Sequence, residues 1–141
     1  MPTARDFHIG DILTVITGRL LSPRHMEGVY DILNFITGDN VYTHQIPRFM
    51  DECRPWLMRQ HPQLGSPEMD DDIAWLEALL QADPGKERTD RIVANWLRSE
   101  VAKFGEILPV KPIPDELHDR IDPIAEVEAM APNRRIIIEE D

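Results

Sequence analysis

HIGDILTVITGRLLSPRHMEGVYDILNFITGDNVYTHQIPR, residues 8–48, contains one phrase twice. Asp11-Ile12-Leu13-Thr14-Val15-Ile16-Thr17-Gly18 returns twenty positions later as Asp31-Ile32-Leu33-Asn34-Phe35-Ile36-Thr37-Gly38. Each copy opens on an acid, which suits the positive end of a helix, and continues with apolar residues on a helical period. Each closes on a glycine able to take the left-handed conformation past the last turn. The pattern predicts two short helices with the same ending. Two copies fall short of the three or more stacked units a solenoid needs, so the repeat belongs inside a compact domain.

Outward from the repeat, the first helix runs from about Asp11 to Thr17, with Ile12, Leu13, Ile16 and Leu20 as its inward stripe. Ser22-Pro23 opens the second, because serine caps free amides and proline is tolerated at the first helical position. Met26, Val29, Tyr30, Leu33 and Ile36 recur there on a helical period, flanked by Ile32 and Phe35, which marks it as the candidate central helix of the core. Val41-Tyr42-Thr43-His44 is β-branched and aromatic next to a turn and predicts a short strand. A third helix starts at Pro47, with a kink or restart expected at Pro55. Further helices are predicted over about 67–82, 90–104 (capped by Thr89), 115–120 and 123–130, with extended chain at 107–114 and a strand at 134–139. The expected fold is a mainly α-helical α+β domain with a small sheet of two or three short strands, at about 41–44, 107–110 and 134–139. Residues 1–7 are expected as a flexible lead-in and 8–141 as a single globular domain.

The chain is long enough, at 141 residues, to bury a core without staples. No apolar run approaches the length of a membrane span. The opening MPTARDFHIGD carries acids and histidine where a secretory leader would be apolar, so a cytoplasmic location is expected. The single cysteine, Cys53, forbids an internal disulfide and falls on an apolar helix face, where a buried, inert thiol is expected. Charge is unevenly placed: residues 1–65 hold seven acids and six Arg/Lys, residues 66–141 nineteen acids and nine Arg/Lys. Such a field repels phosphate backbones, argues against direct nucleic-acid binding and favours a partner with a basic surface.

Candidate chemistry is sparse. Arg24-His25 opens the second helix, and His44 with Arg48 flanks a predicted strand-to-helix junction. Together these four form a candidate Arg/His site for a carboxylate or phosphate, since histidine titrates near neutrality and arginine offers paired donors. The alternative is that they satisfy loop carbonyls. Asp70-Asp71-Asp72 is a candidate partner-binding cluster, though acids in a first helical turn also serve the helix dipole. The five histidines lack metal-ligand spacing, and the serines lack a nucleophile elbow. No phosphate loop or dinucleotide turn is present, so neither metal, cofactor nor catalytic residue is expected. The three tryptophans, Trp56, Trp75 and Trp96, fall on predicted apolar faces and are expected in the core.

GDILTVITGRLLSP, GVYDILNFITGDNVYTHQIPR and DECRPWLMRQHPQL, with WLRSEVAKFGEILPV and IDPIAEVEAM further on, resemble a family of small proteins from bacteriophages, prophages and their bacterial hosts. The resemblance supplies no catalytic residues. It implies an accessory role in a phage or mobile element, with interference in a host process or defence system as one form. The leading expectation is therefore protein–protein interaction with a host or phage protein. A small-ligand binder or enzyme using the Arg/His residues, and a structural homo-oligomer, are the alternatives.

Overall fold

The computed structural model describes residues 3–82 and 85–130. Strand β1 (Arg5–His8) leads into α1 (Ile9–Thr17), followed by α2 (His25–Thr37) and α3 (Ile46–Gln60). Then come α4 (Pro67–Ala82), α5 (Lys86–Phe104), β2 (Ile107–Val110) and α6 (Pro123–Met130). Short 3-10 turns occupy Thr43–Gln45, Pro62–Gly65 and Asp115–Leu117. The result is the mainly helical α+β fold expected, with a two-stranded antiparallel sheet that sets Arg5 opposite Val110 and His8 opposite Ile107.

The repeat is a structural repeat as well. Gly18 and Gly38 stand at φ +76° and +69°, and their amides donate to Thr14 and Asn34 carbonyls. Thr17 and Thr37 hydroxyls donate back to Leu13 and Leu33 carbonyls. The equivalence continues past the glycine. Thr14 Oγ1 accepts the amide of Leu21 at 2.9 Å, and Asn34 Oδ1 accepts the amide of Val41 at 2.7 Å. His25 and Gln45 amides then donate to Ser22 and Tyr42 carbonyls at matching positions. Each copy is thus a helix plus an exit loop pinned by its own polar side chain, with buried Leu21 or Val41 as the plug.

Several expectations are corrected. Val41–His44 is not a strand, because its amides find local partners: Val41 donates to Asn34, and Tyr42 to Gln45 Oε1. The sheet partner of β2 is instead β1, drawn from the supposed lead-in, where a single buried residue, Phe7, was too little to read as a strand. α1, not α2, is the centre, every residue from Ile9 to Ile16 being buried, while Leu20 of its expected stripe is exposed. α5 begins at Lys86, and Thr89 lies within it with its amide on the Gly85 carbonyl. α3 runs through Pro55 without a restart; Pro55 and Asp51, whose carbonyl loses its helical donor, are both exposed to water. Trp96 is buried and Trp56 half-buried, whereas Trp75 faces solvent. The proposed strand at 134–139 lies outside the described residues.

α4 and α5 pack antiparallel, with Trp96 Nε1 donating to the Asp72 carbonyl and Lys103 paired with Asp72 at 2.8 Å. Beyond β2 the chain becomes an arm over the far end of α2. His61 meets the Pro109 carbonyl, Trp56 donates to that of Lys111, and Ile113 donates to that of Ile36.

Candidate functional site

Two polar clusters lie at opposite ends of α2, a helix of about 20 Å at the usual rise per residue. At its start, Arg24 grips the first acid of both repeat copies, Asp11 at 2.6 Å and Asp31 at 2.9 Å. Arg5 of β1 pairs with Asp31 as well, and Ser22 donates to Asp11. Asp11 is fully buried, and Gly28 leaves the space for it: a Cβ there would strike Ser22 Oγ and Asp11 Oδ1. Hydrogen bonds with Asp11 and then Asp31 raise the Arg24 guanidinium above its ordinary value. Partial burial works to raise Asp31, but hydrogen bonds from Arg5 and Arg24 more than offset it and hold the carboxyl low.

At the other end, His44 and Arg48 seat α6. Arg48 pairs with Glu126 at 2.7 Å and with Glu52 one turn along its own helix, and donates to the Asp119 carbonyl. His44 Nε2 meets the Pro123 carbonyl at 2.9 Å. Gln45 donates to the carboxylate of Glu126 and the carbonyl of Ile121. His118, its side chain fully enclosed, lies between Asp39 and Glu52, with Nε2 against the first and Nδ1 against the second. Its ring meets Phe49 edge-on at 5.0 Å, and Arg48 stacks over the same phenyl. The Arg48 hydrogen bond pulls the Glu126 carboxyl below its ordinary range, and Glu126 raises Arg48 in turn.

The four residues of the expected Arg/His site therefore do not converge. Arg24 is held in the first cluster, His44 and Arg48 in the second, and His25 lines a separate cleft of about 730 Å³ between the α1–α2 loop and α5. The acidic triplet divides too: Asp70 and Asp71 are exposed, while Asp72 turns toward Lys103. The described acids of the second half are spread over α4, α5 and the arm, and Asp72, Glu77 and Glu126 are held in ion pairs with Lys103, Arg19 and Arg48. Sequence reasoning missed Asp11, Asp31, Asp39, Glu52, His118 and Glu126. For the first two a signal existed, namely an acid recurring at the same repeat position.

Nothing in these clusters assembles a nucleophile. Among the described residues no hydrogen bond joins a histidine ring to a serine or threonine hydroxyl or to the cysteine thiol, and no group of three or more His, Cys, Asp or Glu is arranged to hold a metal. Cys53 is buried, and burial, with a smaller push from Glu52, raises its thiol to about 12. Among the described residues no helix is long and apolar enough to cross a membrane.

Residues 7–66 match the family model of a domain of unknown function, DUF7736. The match takes in both repeat copies, α3 and the turn after it. The DUF7736 segment contains the whole first cluster except Arg5, and the bundle half of the second: Asp39, His44, Gln45, Arg48 and Glu52. The arm that these residues hold, with His118 and Glu126, lies beyond it. Neither the curated proteins nor the solved structures include a match to the chain.

Proposed function

We propose that this protein is a binding protein rather than an enzyme, and that it acts by presenting α6 to another protein. The observation that carries this reading is the inverted docking of α6. An ordinary surface helix buries its apolar stripe and shows its charges to water. α6 buries Glu126 (7 % exposed) on Arg48 and Gln45, and leaves Ile124 (68 %), Val127 (41 %) and Met130 (54 %) in solvent. Ile124 stands about 200° around the helix from Glu126, on its outer side. Of the ten exposed large apolar side chains among the described residues, five fall between Leu117 and Met130. Exposed Tyr42, beside His44, adds an aromatic at the same end of the molecule. Such a patch on a monomer is a favoured place for protein contact.

Charge indicates the kind of partner. Residues 112–130 contain six acids and one arginine, and Glu116, Asp119, Asp122 and Glu128 are exposed around the apolar residues. The surface fits an apolar groove with a rim of lysine or arginine. The resemblance to phage and prophage proteins suggests that this groove belongs to a bacterial host protein, including a component of a defence system, and that the chain works in the host cytoplasm. The test is affinity capture of the tagged protein from bacterial lysate at low and high salt, beside Ile124→Asp/Val127→Asp. A stoichiometric partner that weakens with salt and is lost from the double variant is expected, with the melting temperature unchanged because both positions are exposed. A partner retained at full strength by the variant would move the interface elsewhere.

A further inference from the structure

The cleft of about 730 Å³ lies at the other end of α2 from α6, so it is independent of that reading. Its floor is apolar: Leu20, Pro23, Val93, Ala94, Leu97 and Val101. On α5, Val93, Leu97 and Val101 recur every fourth residue; Leu97 is buried, and Val93 and Val101 are only partly covered. The volume is in the range of small-molecule sites. One wall is built on a strained residue. His25 has φ +57°, the left-handed region that non-glycine residues seldom adopt, and its side chain is exposed at the cleft. The turn that imposes this is overdetermined: Ser22 Oγ accepts the Arg24 amide and donates to buried Asp11, and the Ser22 carbonyl accepts the His25 amide.

Part of the polar lining donates. His8 Nδ1 accepts the Gly10 amide at 2.9 Å, which leaves the proton of the neutral ring on Nε2. Among the described residues Arg98 makes only a long 3.4 Å bond, to the Asn95 amide oxygen one turn away, whereas Arg19 is already paired with Glu77. The repeat supplies a counterpart within the same molecule. The position equivalent to His25 is Gln45, and Gln45 gives its hydrogen bond to a carboxylate, that of Glu126. Asp90 and Glu106 also line the cleft and disfavour ligands of higher negative charge.

We infer that this cleft is a binding site for a small monocarboxylate with an apolar body, its carboxylate taken by His8, His25 and Arg98 and its body by the α5 floor. The test is an amide chemical-shift titration of the whole protein with octanoate, with octylamine as the cationic control. Saturable shifts confined to His8, residues 19–25 and residues 89–106 are expected, at least tenfold weaker for octylamine. Ala94→Trp, at an exposed helical position, should fill the cleft and abolish them, and Arg98→Met should weaken octanoate several-fold without affecting octylamine. Equal affinity for the two probes, non-saturating shifts, or full octanoate binding by a folded Ala94→Trp protein would each overturn the assignment.

Discussion

Glu100 Oε1 is the one buried side-chain polar atom without a hydrogen-bond partner among the described residues. The side chain is fully enclosed between α4 and α5, and burial, followed by the neighbouring Asp72 carboxylate, raises its carboxyl to about 7. A folded-state value above the unfolded one gives a contribution that is complete below about pH 4.5 and is lost as pH rises through about 7. Glu100→Gln keeps the shape and a donor for Asp72 but removes the titration. The wild type is therefore expected to lose on the order of 2 kcal/mol relative to Glu100→Gln between pH 5 and pH 8. Denaturant melts of both proteins at the two pH values check this; parallel stabilities would place the Glu100 proton elsewhere. None of this was legible in the sequence, where Glu100 reads as one more acid on a charged helix. Burial of that position follows from the docking of α4, which periodicity does not reveal.

At the scale of elements, the two repeat copies were legible because their signals are local: an acid, an apolar period and a stopping glycine. What they do together was not, since Arg24 joins Asp11 to Asp31 across two helices. The same guanidinium network contains a fully buried and a partly exposed carboxylate, which makes a sharp comparison possible. Arg24→Ala leaves Asp11, its side chain only 1 % exposed, with a charge that Ser22 alone must satisfy, and should cost about 3 kcal/mol. Arg5→Ala removes a half-exposed partner of Asp31 and should cost less than about 1 kcal/mol. Urea unfolding of the two variants decides, and equal costs would mean that Asp11 sheds its charge or finds water. The strand expected at 41–44 shows the opposite lesson. Val41 and Tyr42 have strand-like side chains, yet Asn34 and Gln45 take their backbone amides, and local side-chain bonds prevail over residue preference.

For the whole molecule, the helical class and most helix positions followed from the sequence, while the closure of the fold did not. His44 and Arg48 stood out as a candidate ligand site, and the structure makes them the clamp of an arm more than seventy residues away in the chain. No sequence period carries that information. Glu126→Ala should release the clamp: amide exchange over residues 115–130 is expected to rise by about tenfold or more, with α1–α3 protected as before. Exchange unchanged in the arm would show that His118 holds it alone. The pairing of β1 with β2 has a consequence for biogenesis. The strands are roughly 100 residues apart in the chain, so their contact carries a large closure cost and forms late. On the ribosome, α1, α2 and α3 all emerge well before β2 and α6 are translated. A nascent or prematurely ended chain carries the clamp residues with nothing for them to grip, so the outward apolar face of α6 exists only once translation has passed Met130.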